Sequence, residues 1–372
     1  MSALRGVRIA DFSRVLAGPY ATMLLGDMGA TVVKIERPEV GDDTRTWGPP
    51  FDSAGRSTYF DSVNRNKLGV TADLSTLEGR EKAMAIIAES DVLVENFAVG
   101  TMEKFGLGYE QLKDEFPHLI YCSISGFGSS EKGKSLPGYD LLVQAMSGLM
   151  SITGPDAEHP TKVGVALVDV IAGLHTALGI TSALVHRADS GEGQKIEINL
   201  LSSTLSAMVN QSGAFAAAGV IPKAMGNAHP SIAPYEVYPT KDRQIAIAVG
   251  NDLQFVKFCR VLGIEIFNDQ RFATNSSRVA NRADLNTLLT GILTQKSAAE
   301  WIHALTTVGV PAGPINSIEE AVKLAESLDL NPIISIKDFR DGHESRSIAN
   351  PIKFSKTPVE YPLGPPTLGM DD

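Results

Sequence analysis

The 372-residue sequence predicts an α/β fold, a parallel sheet covered by helices, followed by a smaller α+β domain. Three observations carry this reading. Strand-like and helix-like segments alternate over the first 128 residues. Each strand-like segment there ends in a polar or glycine-containing turn, as βαβ units require. From residue 235 the texture changes to a hairpin followed by amphipathic helical patterns.

"GVRIADF" (6–12) reads as a short buried strand, and "GPYATMLLGDMGA" (18–30) as a helix with Pro19 in its first turn. "TVVKIERP" (31–38) is a β-branched strand stopped by Arg37 and Pro38. "KAMAIIAESDVLVENF" (82–97) gives helix then strand, and "LIYCSISGFG" (119–128) a strand running into a Ser/Gly-rich loop. Ligands of open α/β sheets bind beyond the carboxyl ends of the strands. The loops to watch are therefore 13–17, 36–43, 95–100 and 125–140.

A long helix rich in small residues is expected over 163–187, then a strand over 194–199 and another helix. Residues 212–235, rich in Gly, Pro and Ala, read as loose chain. "YEVYPTKDRQIAIAVGND" reads as an antiparallel hairpin turning at Lys241 and Asp242. These readings divide the chain into a large domain (1–200), a linker (201–225), a small α+β domain (226–329) and a C-terminal segment (330–372).

The chain carries 43 acidic against 33 basic residues, a net charge of −10, which argues against nucleic acid as its main partner and offers no attraction to a membrane surface. No apolar run reaches about 18 residues without polar breaks, so no membrane span is expected. The N-terminus runs directly into a strand with no signal-like segment, and a cytoplasmic enzyme is expected. Cys122 and Cys259 have no metal-like spacing and read as buried free thiols. No metal site is expected. The first strand–helix turn, "SRVLAGPYA", lacks the glycine pattern of a dinucleotide site, so the fold is nucleotide-fold-like without NAD.

Asp140, in "LPGYDLLVQAMSGLM", is the candidate for chemistry. It could cap its own helix by accepting from the Val143 N–H, worth about 1 kcal/mol. Leu141, Leu142, Ala145, Met146 and Leu149 read as a buried apolar face beside it, and a carboxylate there could instead be a nucleophile. Gly138 would permit close approach of a ligand. The two roles are compatible, because a helix start also offers N–H groups to an anion.

Several segments together give the chain a resemblance to family III coenzyme A transferases over almost its whole length. They are "DFSRVLAGPYATMLLGDMGATVVKIERPEVGDDTR", "NRNKLGVTADL", "DVLVENFAVGTMEKFGLGYEQL", "SISGFG", "PGYDLLVQAMSGLMSITG", "GNAHPSIAPYEVYPTKDRQIAIAVGNDLQF" and "RFATNSSRVANRADL". The resemblance implies a Rossmann-like large domain, a small domain, and two chains interlocked as a homodimer. It implies CoA transfer from an acyl-CoA to a free carboxylic acid, with succinyl-CoA among the expected donors and no tightly bound cofactor. Asp140 falls on the family's catalytic Asp, which forms a mixed anhydride and then an aspartyl-CoA thioester. Val15, Ala17, Arg37, Lys67, Asn96 and Phe97 match positions that hold CoA. Lys104 stands where close relatives have Arg, keeping charge but losing bidentate geometry. Leu16 replaces a Gln of the formyl-CoA transferases. His229 and Gly226 fall on a small-domain loop near the substrate. Lys132 and Lys134 are further candidates for phosphate contact, though solvent is the commoner place for a loop lysine.

The alternative is a 2-methylacyl-CoA racemase of the same fold. That branch uses an acid at the place of Asp169, together with a His just before the residue matching Asp140. Here that place holds Tyr139, and a two-base racemase needs a proton carrier on each face. The resemblance therefore favours transfer.

Overall fold

The computed structural model describes residues 2–372. The chain forms two compact units. The first comprises the residues to Met150, Lys162–Ile221 and Asn331–Asp372; the second comprises Ser151–Thr161 and Pro222–Leu330.

The first unit is built on a six-stranded sheet of order β3-β2-β1-β4-β5-β6. Its strands are β1 (Arg8–Asp11), β2 (Thr31–Glu36), β3 (Lys67–Thr71), β4 (Val92–Glu95), β5 (Ile120–Ser125) and β6 (Lys195–Asn199). Every pairing is parallel. The strand order reverses between β1 and β4, so a crevice opens at their carboxyl ends. The central strands are buried on both faces: Ile9, Ala10, Val92, Leu93, Val94 and Cys122 have no exposed surface. This is why β1 and β4 read as continuous apolar runs rather than alternating ones.

The helix Ala17–Asp27 is apolar nearly all round because it is covered on both sides, and only Tyr20 escapes full burial. The helix Leu167–Ser190 packs along it. A Cβ on Gly173 would lie 2.7 Å from the Ala17 carbonyl oxygen, so a glycine is what lets the two backbones touch. The longer helix buries Val168, Ala172, Thr176, Ile180 and Ala183 at steps of four and then three residues and leaves Leu174, Leu178 and Val185 exposed. Contrary to the sequence reading, this helix is long and apolar enough to cross a bilayer by length and composition.

Residues 201–225, expected as a linker, are largely helical. The helices Leu200–Ala207 and Val209–Ala218 belong to the first unit. The last residues return to the sheet: Asp371 accepts from the Gly69 N–H and Asp372 from the Thr71 N–H, each at 2.8 Å, covering the open edge at β3. The antiparallel pair β10 (Ile333–Lys337) and β11 (Glu344–Ile348) precedes them. Arg65 ties this pair inward, bonding Asp27 with two nitrogens and Ser347 and Ile348 with a third.

The second unit has a three-stranded antiparallel sheet of β7 (Tyr235–Pro239), β8 (Gln244–Ala248) and β9 (Ala312–Pro314). Its core is Tyr238, Ile245, Ile247, Phe255, Phe258, Leu285, Leu289 and Trp301. Cys122 and Cys259 are free, buried thiols in separate units.

Candidate active site

The crevice of the first unit is a pocket of about 540 Å³. Three loops build its wall: the turn after β1, the turn after β4, and the segment from the end of β5 to Asp140.

The turn after β1 is fixed from below by charges buried under the sheet ends. Lys34 is fully buried, and its Nζ donates to the Ser13 carbonyl and to Asp42, both at 3.0 Å. Asp42 accepts in turn from the Val15 N–H at 3.2 Å and from the Thr44 N–H at 3.0 Å. Burial opposes its ionisation, but the Lys34 ammonium and the Thr44 N–H outweigh it and hold the carboxyl at about 2. Val15 adopts φ +67, a backbone strained for a β-branched residue, and its N–H bond to Asp42 holds it there.

Asn96 closes the gap to the β4 side. Its Oδ1 accepts from the Arg14 N–H at 2.8 Å, and its Nδ2 donates to the Arg14 carbonyl at 2.7 Å. The amide thus holds the neighbouring turn while also lining the pocket. The Arg14 guanidinium lies over the Phe97 ring at 4.9 Å and 3.6 Å from Asp43. Glu95 accepts from the Phe97 N–H at 2.9 Å, and burial pushes its carboxyl up to about 7.

The third wall carries Asp140. Gly126 and Gly138 cross so closely that a Cβ on Gly138 would lie 2.6 Å from the Gly126 Cα. This crossing brings the end of β5 against the start of the helix Asp140–Met146. Asp140 does not cap that helix in the expected way. Tyr139 is its N-cap, and the Val143 N–H donates to the Tyr139 carbonyl. The Asp140 carboxylate reaches instead to the start of the helix Leu167–Ser190, whose own cap position, Ala166, has no side-chain acceptor. Its Oδ1 accepts from the Val168 N–H at 2.9 Å and the Asp169 N–H at 3.4 Å, and its Oδ2 from the Gln144 amide at 2.7 Å. Gln144 is fully buried and is fixed by the Val163 N–H on its Oε1. The carboxylate is therefore aimed by three donors, with the positive end of a long helix behind it.

The expected apolar face of this short helix is not buried: Leu141 and Met146 are exposed, and Val143, Gln144 and Ser147 face inward. A seven-residue helix has too few turns to bury a broad stripe.

Asp169 lines the pocket too. Burial first, and the charge of Asp140 second, push its carboxyl up to about 7. Tyr59 is raised to about 12 by burial, then by Asp169 and Asp140.

The structure brings Asp140, Tyr139, Val15, Ala17, Asn96 and Phe97 to one pocket. Lys67 is not there. It is fully buried, donating at 3.0 Å to each of Asp11, the Pro19 carbonyl and Asn64, so it braces the sheet and cannot meet a phosphate. Arg37 is exposed outside the lining and pairs at 3.1 Å with Asp43, which is part of it. Lys104 is exposed on the turn Thr101–Lys104, outside the lining. Lys134 lines the pocket beside its partner Glu131, and Lys132 does not. Gly226 and His229 belong to the second unit. There the Gly226 N–H donates to Gly154, and the His229 ring lies 5.2 Å from Tyr235. Away from the pocket, Asp52, Asp61 and His343 bring metal-type ligand atoms within 4.8 Å of one another, a grouping the sequence reading did not foresee. The residues missed by sequence reasoning are Asp42, Lys34, Gln144 and Arg14. Only Gln144, four residues after Asp140, had a local signal.

A carboxylate fixed by three donors in the crevice of a doubly wound sheet is an arrangement that can carry acyl chemistry on an acid side chain. The chain belongs to CoA-transferase family III, whose model matches residues 4–372. It is 42% identical to a succinate–glutarate CoA-transferase of Agrobacterium fabrum, over 98% of this chain and 93% of that protein. It is 40% identical to the succinyl-CoA:glutarate CoA-transferase of Mus musculus, over 100% of this chain and 85% of that one. Among solved structures it resembles a CAIB/BAIF family protein from Brucella suis, with a TM-score of 0.86, 43% identity, and coverage of 99% of this chain and 97% of that one. The protein is a CoA-transferase that uses acyl-CoA as substrate.

Proposed function

We propose that this CoA-transferase moves CoA from succinyl-CoA to a second dicarboxylic acid, glutarate being the first acceptor to test, with Asp140 as nucleophile. The observation that carries the reading is the Asp140 carboxylate, aimed into the pocket by the Val168 N–H and the Gln144 amide. Asp140 attacks the thioester carbon, the C–S bond breaks, and a mixed anhydride and CoA thiolate result. The thiolate then attacks the aspartyl carbonyl, releasing the donor acid and leaving an aspartyl-CoA thioester. The acceptor carboxylate runs the same two steps in reverse, and no net proton moves. The names of the relatives support the choice of donor and acceptor. Val15, Ala17, Asn96 and Phe97 would flank the CoA, with Arg14 and Lys134 the cations in reach of its charge. Arg37 and Lys104 would serve only at the pocket's outer edge.

The test is incubation with succinyl-CoA and hydroxylamine, followed by peptide mapping. A hydroxamate on Asp140 is expected, and Asp140→Ala should lose CoA exchange by about 10⁴-fold or more. An adduct on another residue, or full activity in Asp140→Ala, would sink the reading. We further propose a homodimer. Leu174, Leu178, Val185, Val209 and Phe215 are exposed apolar side chains on two helices of the first unit, the kind of surface a partner chain covers. Light scattering should give about twice the mass of one chain, and a monomer at micromolar concentration would refute this.

A further inference from the structure

Outside the crevice, one cluster of side chains has no part in the reaction just described. Among the described residues, five buried side-chain polar atoms lack a hydrogen-bond partner, and two of them, Asp61 Oδ1 and His343 Nε2, belong to this cluster. Buried polar atoms left unmet cost stability unless something else in the site meets them. Asp52 completes the group: one ligand atom from each of the three residues lies within 4.8 Å of the other two. All three residues belong to the first unit.

The local structure fixes each of them. Asp52 Oδ1 accepts from the Ala54 N–H at 2.9 Å and the Arg56 N–H at 2.7 Å, so the turn holds the carboxylate and leaves Oδ2 toward His343. Asp61 ends the helix Thr58–Asp61, and its Oδ2 lies 3.8 Å from Arg56 Nε, so Oδ1 is the oxygen without a partner. His343 immediately precedes β11, and its backbone N–H donates to Asp341 at 2.9 Å. The separation of Asp52 Oδ2 and His343 Nε2 is 3.4 Å. Two ligands held at about 2.1 Å by one tetrahedral ion are about 3.4 Å apart. The widest separation in the cluster exceeds that by about 1 Å, which a side-chain rotation can close. Two carboxylates and a neutral imidazole carry two negative charges, and the Arg56 cation beside them is shared with Asp341 at 4.0 Å. One imidazole nitrogen with two carboxylate oxygens is a donor set for zinc and its neighbours, whereas magnesium takes oxygen alone. A proton on His343 meets the atoms less well. Its contact with Asp52 lacks hydrogen-bond geometry, and Asp61 Oδ1 stays unmet.

We propose that Asp52, Asp61 and His343 form a binding site for one divalent ion of the zinc class, which ties the segment 52–61 to the β10–β11 pair. Three protein ligands leave the fourth position to water. The tied segment carries Tyr59, whose ring meets that of Trp47 in the pocket wall at 5.1 Å. The ion thus braces that wall from behind and touches no reactant.

The experiment strips the full chain with a chelator and titrates it with zinc chloride by calorimetry, then with cobalt chloride by visible absorption. One zinc ion per chain is expected, bound at least about 100-fold more tightly than magnesium. Cobalt should give the absorption of a tetrahedral, imidazole-ligated ion and be displaced by zinc. Zinc at about 100 times its Kd should raise the melting temperature by about 3 °C. His343→Gln and Asp61→Asn should each weaken zinc binding about 100-fold and remove that rise, with the circular dichroism of the wild type retained. Asp52→Asn, which keeps the acceptor of the turn and loses one charge, should weaken zinc binding as well. Absence of stoichiometric zinc, a cobalt spectrum without tetrahedral character, or zinc binding that persists in both His343→Gln and Asp61→Asn would overturn the proposal. So would a wild type indifferent to zinc and stabilised on acidification through pH 6 in a way that His343→Gln abolishes, which marks a protonated His343 paired with the two acids.

Discussion

Replacing Asp42 by Asn should weaken both the fold and the hold on CoA, and the structure gives the sizes. The Lys34–Asp42 pair is 3.0 Å long and has no exposed side-chain surface at either end. The depression of Asp42 from 3.8 to about 2 corresponds to roughly 2 kcal/mol favouring its charged form in the folded state. Removing one member of a buried pair leaves the other uncompensated and typically costs about 3–5 kcal/mol. Lys34 would then have only Asp11, which Lys67 already uses, and Glu36, which Arg45 already uses. We expect Asp42→Asn to lose about 3 kcal/mol, a fall of roughly 5–10 °C in melting temperature. The carboxylate also holds the Val15 N–H, so the turn after β1 should loosen and KM for acyl-CoA rise about tenfold, with kcat less affected. The control is Lys34→Met/Asp42→Leu, which removes both charges. Its stability should recover by at least half while KM stays raised, because the Val15 N–H and the Ser13 carbonyl remain unpaired. Scanning calorimetry and steady-state kinetics read both quantities. A melting temperature within 1 °C of wild type in Asp42→Asn, or a double variant less stable than the single one, would refute the reasoning.

Two further predictions follow from the same pocket. Asn96→Leu removes both bonds to the Arg14 backbone and should raise KM for acyl-CoA about tenfold while leaving the hydroxylamine adduct on Asp140; unchanged KM would count against the bracing role. Asp169→Asn should be stabilising above pH 7. The folded-state pKa of Asp169 lies above its unfolded value, so the folded protein binds the extra proton and wild-type stability falls as pH rises from about 4 to about 7. The variant should melt higher than wild type at pH 8 and level with it at pH 4, and equal melting temperatures at pH 8 would contradict this.

The sheet was readable because its strands are short, buried and punctuated, and β1, β2, β4 and β5 fall where the apolar runs placed them. The helix Val209–Ala218 was read as loose chain because it buries no residue within the chain and its Ala/Gly composition shows no apolar stripe. Departure of Ser151–Thr161 to the second unit leaves no local mark at all, since it is a matter of where the chain returns. The site was half legible. Asp140 was found by its motif, but its capping role was assigned to the wrong helix, because capping rules count residues along one segment and its two backbone donors lie 28 and 29 residues further on. Lys67 shows the same limit. A lysine in sequence says nothing of burial, and what buries this one is Asp11, 56 residues earlier.

The reciprocal bonds between Asn96 and the Arg14 backbone cross the one place in the sheet where neighbouring strands are not joined by a direct βαβ crossover. The β3-β2-β1 half and the β4-β5-β6 half are already joined there by the β1–β4 ladder, and beyond the strand ends a single carboxamide sets the gauge between their two turns. The gap offered to the ligand is thus a built length and not the outcome of loop flexibility. Lengthening that spacer by one methylene, as in Asn96→Gln, resets the gauge without touching the acid that performs the chemistry.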